Sequence, residues 1–175
     1  MDTALGWLGD LVRTIATVFP RLCHVPANSR GVLFKRKNVY LLLPGLHFYW
    51  PVWSEVTLIN VTRDTTQLHY QSLVTKDECG VTISVTIVHS IQDAVVAVAE
   101  VADLKGTISD VCAAAVKRII TDRDWNELKE DQPRIDRMLT RRCKRMLEPY
   151  GVAVESAYIS ELSQPITIRL MDNGG

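Results

Sequence analysis

The sequence lacks most of the signatures that announce a chemistry. There is no net charge, because 20 Lys+Arg balance 20 Asp+Glu, so nothing global points to nucleic acid. The cysteines, Cys23, Cys79, Cys112 and Cys143, lie far apart with no CxxC and no Cys/His ligand spacing. A zinc site and a disulfide framework are therefore not expected, and free thiols in a reducing compartment are. The histidines are as scattered, and no GxSxG, HExxH, P-loop or GxGxxG occurs. Asp122, Asp124 and Glu127 flank Arg123, where capping and ion pairing explain them better than metal ligation. No catalytic, cofactor-binding or metal constellation is expected.

What is present is a folded-chain composition, 47% hydrophobic and 23% charged. The charge is also uneven. Arg13, Arg21, Arg30, Lys35, Arg36 and Lys37 face only Asp2 and Asp10 within residues 1–50. A basic end that is also apolar suits an anionic lipid surface. The competing reading of Lys35–Lys37 is a solvated hairpin tip.

Residues 4–19 place Leu8, Leu11, Val12, Ile15, Val18 and Phe19 at helical spacing, with Leu5 and Trp7 near the start. Asp10 and Arg13 interrupt the run, and each would cost about 2.5–3.5 kcal/mol at a bilayer centre. The expectation is an in-plane amphipathic membrane helix within residues 1–22, ended by Pro20, with Trp7 as an interfacial anchor. A helix packed on its own domain is the alternative. Cys23, just beyond, is a candidate for reversible acylation, against the plainer reading of an inert thiol.

A second apolar stretch, Val39–Trp53, is broken by Pro44, Gly45 and Pro51 and cannot be one helix. Its aromatics Phe48, Tyr49, Trp50 and Trp53 belong in a core or at headgroup level. Leu46, Phe48, Tyr49 and Trp50 are the expected lipid-dipping tip, with Arg13, Arg21, Lys35, Arg36 and Lys37 meeting headgroups.

From Arg30 to Ile91 the pattern is β. A hairpin is predicted over Gly31–Lys35 and Asn38–Leu43, with strands at Glu55–Arg63 and Thr66–Val74. A half-buried strand follows a polar turn, with Val81, Ile83, Val85 and Ile87 alternating with Thr82, Ser84 and Thr86. Helices are predicted over Gln92–Glu100, Leu104–Thr121 and Asn126–Glu148, the last kinked or divided at Pro133. Gly151 is the expected C′ residue before a final strand, Val152–Leu162. Strands, then helices, then a strand make an α+β domain.

These residues resemble a known family. Gly31-Val32, the run Leu43-Pro44-Gly45-Leu46-His47-Phe48-Tyr49-Trp50-Pro51-Val52, the step Leu73-Val74-Thr75-Lys76-Asp77, Thr121-Asp122-Arg123, and Tyr150–Leu162 are similar, in order, to the stomatin–prohibitin–flotillin (SPFH, or band-7) domain. The resemblance covers residues 25–165. It implies an antiparallel sheet with packed helices behind the N-terminal membrane segment, and a non-enzymatic, membrane-associated scaffold that self-associates into rings or cages on one membrane face, expected to be the cytoplasmic one. The implied partners are membrane lipids and copies of the chain. A second reading is an adaptor that regulates a host membrane protease or a longer SPFH protein by joining its ring. Relatives continue into a long coiled coil, whereas residues 166–175 form a short tail that cannot hold three to four heptads. Assembly is expected to rest on contacts between SPFH domains or on co-assembly with a longer partner.

Overall fold

A computed structural model describes residues 19–164. The expected helix at residues 4–19 and the tail at 166–175 lie outside the described residues, Phe19 excepted. The chain divides into two compact units, one formed by residues up to 62 together with 91–104, the other by 63–90 and the residues from 105 onward.

In the first unit, β1 (Arg21–Val25) pairs antiparallel with β4 (Gly45–Tyr49). Between them in sequence lies the predicted hairpin, β2 (Ser29–Lys35) and β3 (Asn38–Leu42), closed by Arg36 and Lys37. β5 (Ser54–Asn60) joins the other edge of β2 antiparallel, so the order is β3-β2-β5. A short helix α1 (Ala94–Ala99) packs on β2, β3 and β5 through Ala94 and Ala97. Asp93 starts it by accepting from the Val95 and Val96 N–H groups at 3.0 and 3.1 Å. Gly31 lies where β2 passes close to β3, and a Cβ there would stand 3.0 Å from Leu42 Cβ and 3.2 Å from Val25 Cγ2, tight enough that these side chains would have to give. Gly45 has φ +142°, a conformation that L side chains rarely adopt.

The second unit is built on β8 (Gly80–Ile91). β6 (Asp64–Gln67) and β7 (Gln71–Val74) pair antiparallel with successive stretches of it, and β9 (Val152–Ser163) also pairs with it. The single predicted strand Thr66–Val74 is thus interrupted. Gln67 stands opposite Thr86 and Gln71 opposite Ile83, a register slip of one residue around Leu68–Tyr70. The half-buried reading of β8 is corrected as well. Ser84 is as buried as Val81, Ile83, Val85 and Ile87, and Thr86 nearly so. Ser84 tolerates this because its hydroxyl donates to Leu68 O at 3.1 Å, with Gln67 Nε2 at 3.3 Å and Ser160 Oγ at 3.2 Å. A strand covered on both faces can keep an alternating sequence if its polar side chains are bonded.

The helices follow as α2 (Leu104–Thr121), α3 (Trp125–Glu130) and α4 (Gln132–Leu147). The predicted break near Pro133 falls at Asp131, which accepts from Arg134 N at 3.3 Å and lets Pro133 occupy the first turn, where its missing N–H costs nothing. α4 is strapped to β9. Thr140 Oγ1 accepts from Ala157 N at 2.9 Å, and Asp136 Oδ1 accepts from Ile159 N at 2.9 Å. Gly151, with φ +72°, closes a 3-10 turn (Glu148–Tyr150) ahead of β9.

Candidate membrane-contact surface

The two units treat apolar side chains oppositely. Among the described residues, 19 of the 23 buried apolar residues belong to the second unit, and only Val25, Val32, Ala94 and Ala97 to the first. Of the 15 exposed large apolar residues, 12 belong to the first unit and only Tyr70, Val74 and Tyr158 to the second. The second unit is thus an ordinary core. The first carries its apolar surface outward, the mark of an interaction site.

Strand pairing explains how that surface arises. Leu22 lies opposite Phe48 and His24 opposite Leu46, so these four side chains share one face of the β1–β4 ribbon. That face is bare, with Leu22 55%, Leu46 64% and Phe48 78% exposed. The other face carries Arg21 opposite Tyr49 and Cys23 opposite His47, and Tyr49 and Cys23 are half-buried. The turn between β3 and β4 is held by the His47 ring, whose Nε2 donates to Leu43 O at 2.7 Å.

The ribbon meets the basic hairpin at one cleft of about 350 Å³, lined by Pro20, Leu33, Lys35, Phe48, Tyr49 and Trp50 together with Trp53 and Ser54. Trp50 and Trp53 stack with centroids 6.0 Å apart, and the Arg36 guanidinium lies 5.9 Å from the Trp53 centroid. The Trp50 carbonyl fixes this corner by accepting from Ser54 N at 3.1 Å and Ser54 Oγ at 2.5 Å. Arg36 adopts φ +53°, the left-handed region, which costs a non-glycine residue about 1–2 kcal/mol. Lys35, Arg36 and Lys37 all project into solvent. Phe19 is exposed at the start of the described chain, and the remaining candidate side chains, Leu5 to Val18 with Arg13, lie outside the described residues.

The β1–β4 pairing was missed by sequence reasoning. Its signal, alternation over Arg21–Val25 and Leu46–Phe48, is only five residues long between prolines, too short to separate from a loop. Also unforeseen is the meeting of Cys112 and Cys143, buried on facing helices, where the hydrogen bond to the Cys143 sulfur and burial hold the Cys112 thiol far above its usual range. Burial and the Asp77 charge push the Cys79 thiol up as well. Among the described residues no group of three or more His, Cys, Asp or Glu could hold a metal ion. No helix among them is long and apolar enough to cross a membrane.

The profile of the SPFH domain / Band 7 family matches residues 24–169. The chain belongs to this family. An uncharacterised protein of Archaeoglobus fulgidus is 23% identical over 93% of this chain and 66% of its own length. A stomatin homolog of Pyrococcus horikoshii is 22% identical over 78% of this chain and 52% of its own. Stomatin-2 of Caenorhabditis elegans is 21% identical over 96% of this chain and 48% of its own. The chain spans about half to two thirds of these relatives' lengths. In the SPFH domain of this chain, Gly31 is the close strand approach, Pro44-Gly45 is the positive-φ entry to β4, and Thr75-Lys76-Asp77 bonds the start of α3.

Proposed function

We propose that this chain is a non-enzymatic SPFH scaffold that sits on an anionic membrane face through its first unit and associates with copies of itself. The observation that carries the membrane half is the outward apolar face of β1–β4 joined to the Trp50–Trp53 stack and the Lys35–Lys37 tip. Exposed Leu and Phe side chains supply apolar area, indole rings favour the headgroup layer, and cations near an anionic leaflet contribute about 1 kcal/mol each. Three cations at one hairpin tip then amount to roughly 3 kcal/mol, about two orders of magnitude in partitioning. Membership of a family with stomatin-named members supports the membrane and scaffold class. Self-association rests on the family resemblance.

Flotation with liposomes tests the membrane half. The chain is expected to float with vesicles containing phosphatidylserine more than with pure phosphatidylcholine vesicles. Lys35→Gln/Arg36→Gln/Lys37→Gln should remove the phosphatidylserine preference, and Leu46→Glu/Phe48→Glu should weaken both. Flotation unchanged by either substitution set would exclude this surface.

A further inference from the structure

In the second unit, α2 and α4 leave a groove of about 270 Å³ between them, lined by Ile119, Met138, Arg141, Arg142, Arg145 and Met146. Its floor is apolar and its walls are arginine. None of the three arginines makes an ion pair among the described residues, and Arg142 Nε is buried with no acceptor. Lysine and arginine near a helix C-terminus suit the helix dipole, which accounts for charge there but not for a groove with a methionine floor. A bare phosphate would satisfy the arginines and leave the floor uncovered. A bilayer is too flat to enter. A segment that carries carboxylates around an apolar ring does both.

The chain has such a segment. Within Asp122–Asp131, Glu127 is engaged by Arg123 at 2.5 Å, and Glu127 and Asp131 lie 3.9 and 4.0 Å from Arg134. Asp122, Asp124 and Glu130 are exposed and make no ion pair among the described residues, with the half-buried Trp125 ring between them. Asp124 stands at the N-cap of α3 and makes no side-chain capping bond, while Asp77 accepts from the Trp125 N–H. Its carboxylate is therefore left unspent.

We infer that the α2/α4 groove of one copy receives the Asp122–Glu130 segment of another. Groove and segment adjoin on the same chain, Arg123 lying 3.8 Å from Met138 Sδ, so the contact either closes reciprocally into a two-fold dimer or repeats head to tail into a ring or filament. The inference rests on the self-association reading above and names its interface.

Sedimentation velocity on the full chain, with circular dichroism of every variant as a fold check, tests it. Arg141→Glu/Arg145→Glu and Asp122→Arg/Asp124→Arg should each lower self-association on the order of tenfold or more. An equimolar mixture of the two should associate again, because each acidic groove then meets a basic segment and each native groove a native segment. Folded variants that associate like the native chain would overturn this interface and leave self-association standing. Variants that dissociate and fail to rejoin when mixed would overturn the pairing of groove with segment. A native chain that stays monomeric, with and without phosphatidylserine vesicles, would overturn the self-association reading and the interface with it.

Discussion

The Asp77 carboxylate accepts the Trp125 backbone N–H at 3.2 Å through both oxygens, so a residue from a loop 48 positions away starts helix α3. The same carboxylate accepts from Thr75 Oγ1, and Lys76 N donates to Arg123 O at 2.9 Å. Two stretches distant in sequence, Thr75-Lys76-Asp77 and Thr121-Asp122-Arg123, thereby form one junction.

Asp77→Ala should lower the melting midpoint by about 2–4 °C, the scale of a lost cap in a domain of this size, and Asp77→Asn by less because one acceptor survives. The Thr75 hydroxyl and then the Trp125 amide hold the carboxyl below its usual range. A depressed carboxylate contributes stability that is present above its unfolded value, about 3.9, and lost as pH falls through the folded one. The gap between native and Asp77→Asn melting curves should therefore be constant above about pH 5 and shrink below about pH 4. A gap independent of pH would show that the charge contributes nothing.

His89 sets a second pH response, opposite in origin. The residue is 4% exposed, Nε2 lies 3.0 Å from Thr66 Oγ1, and Nδ1 is buried without a partner among the described residues. Burial lowers its pKa. Asp64 opposes the shift and Lys105 adds to it, so desolvation with Lys105 outweighs Asp64. Because the folded value lies below the unfolded one, about 6.5, stability is full above that pH and falls progressively as pH drops beneath it. The native melting midpoint should decline from pH 7.5 to 5.5 more steeply than that of His89→Gln, which cannot titrate. The substitution itself should cost about 0.5–3 kcal/mol at pH 7.5. Parallel declines in differential scanning calorimetry would remove His89 as the cause.

What was legible in the sequence follows the strength of local periodicity. Leu104–Thr121 is read to the residue because its apolar positions repeat over five turns, and the Lys35–Asn38 hairpin because a polar pair separates two apolar runs. Thr66–Val74 is read as one strand because a one-residue slip leaves no mark in composition. The apolar and basic elements of the candidate surface are legible as residue types. Their arrangement is not, since which of Leu46, Phe48 and Tyr49 faces outward depends on a pairing with Arg21–Val25 that nothing local specifies. Likewise, the sequence presents Asp122 and Asp124 as ordinary capping acids. Only the side-chain geometry, in which Asp124 makes no capping bond, reveals that it is unspent.

Arg36 separates a structural turn from a lipid-binding one. It occupies a two-residue hairpin loop at φ +53°, where glycine or asparagine is the usual choice. Replacing it with glycine relieves about 1–2 kcal/mol of backbone strain and forfeits about 0.5–1 kcal/mol of exposed cation–π contact with Trp53. Glycine also costs about 0.5–1 kcal/mol through the entropy of the unfolded chain, so the terms nearly cancel and Arg36→Gly should stay within about 1 kcal/mol of the native chain in urea unfolding. The same change removes a cation worth about 1 kcal/mol at an anionic surface, so binding to phosphatidylserine vesicles should fall roughly fivefold. Raising salt should narrow that difference, because the lost attraction is screened over about 10 Å at 0.1 M. A residue kept only to close the hairpin would lose nothing in the vesicle assay.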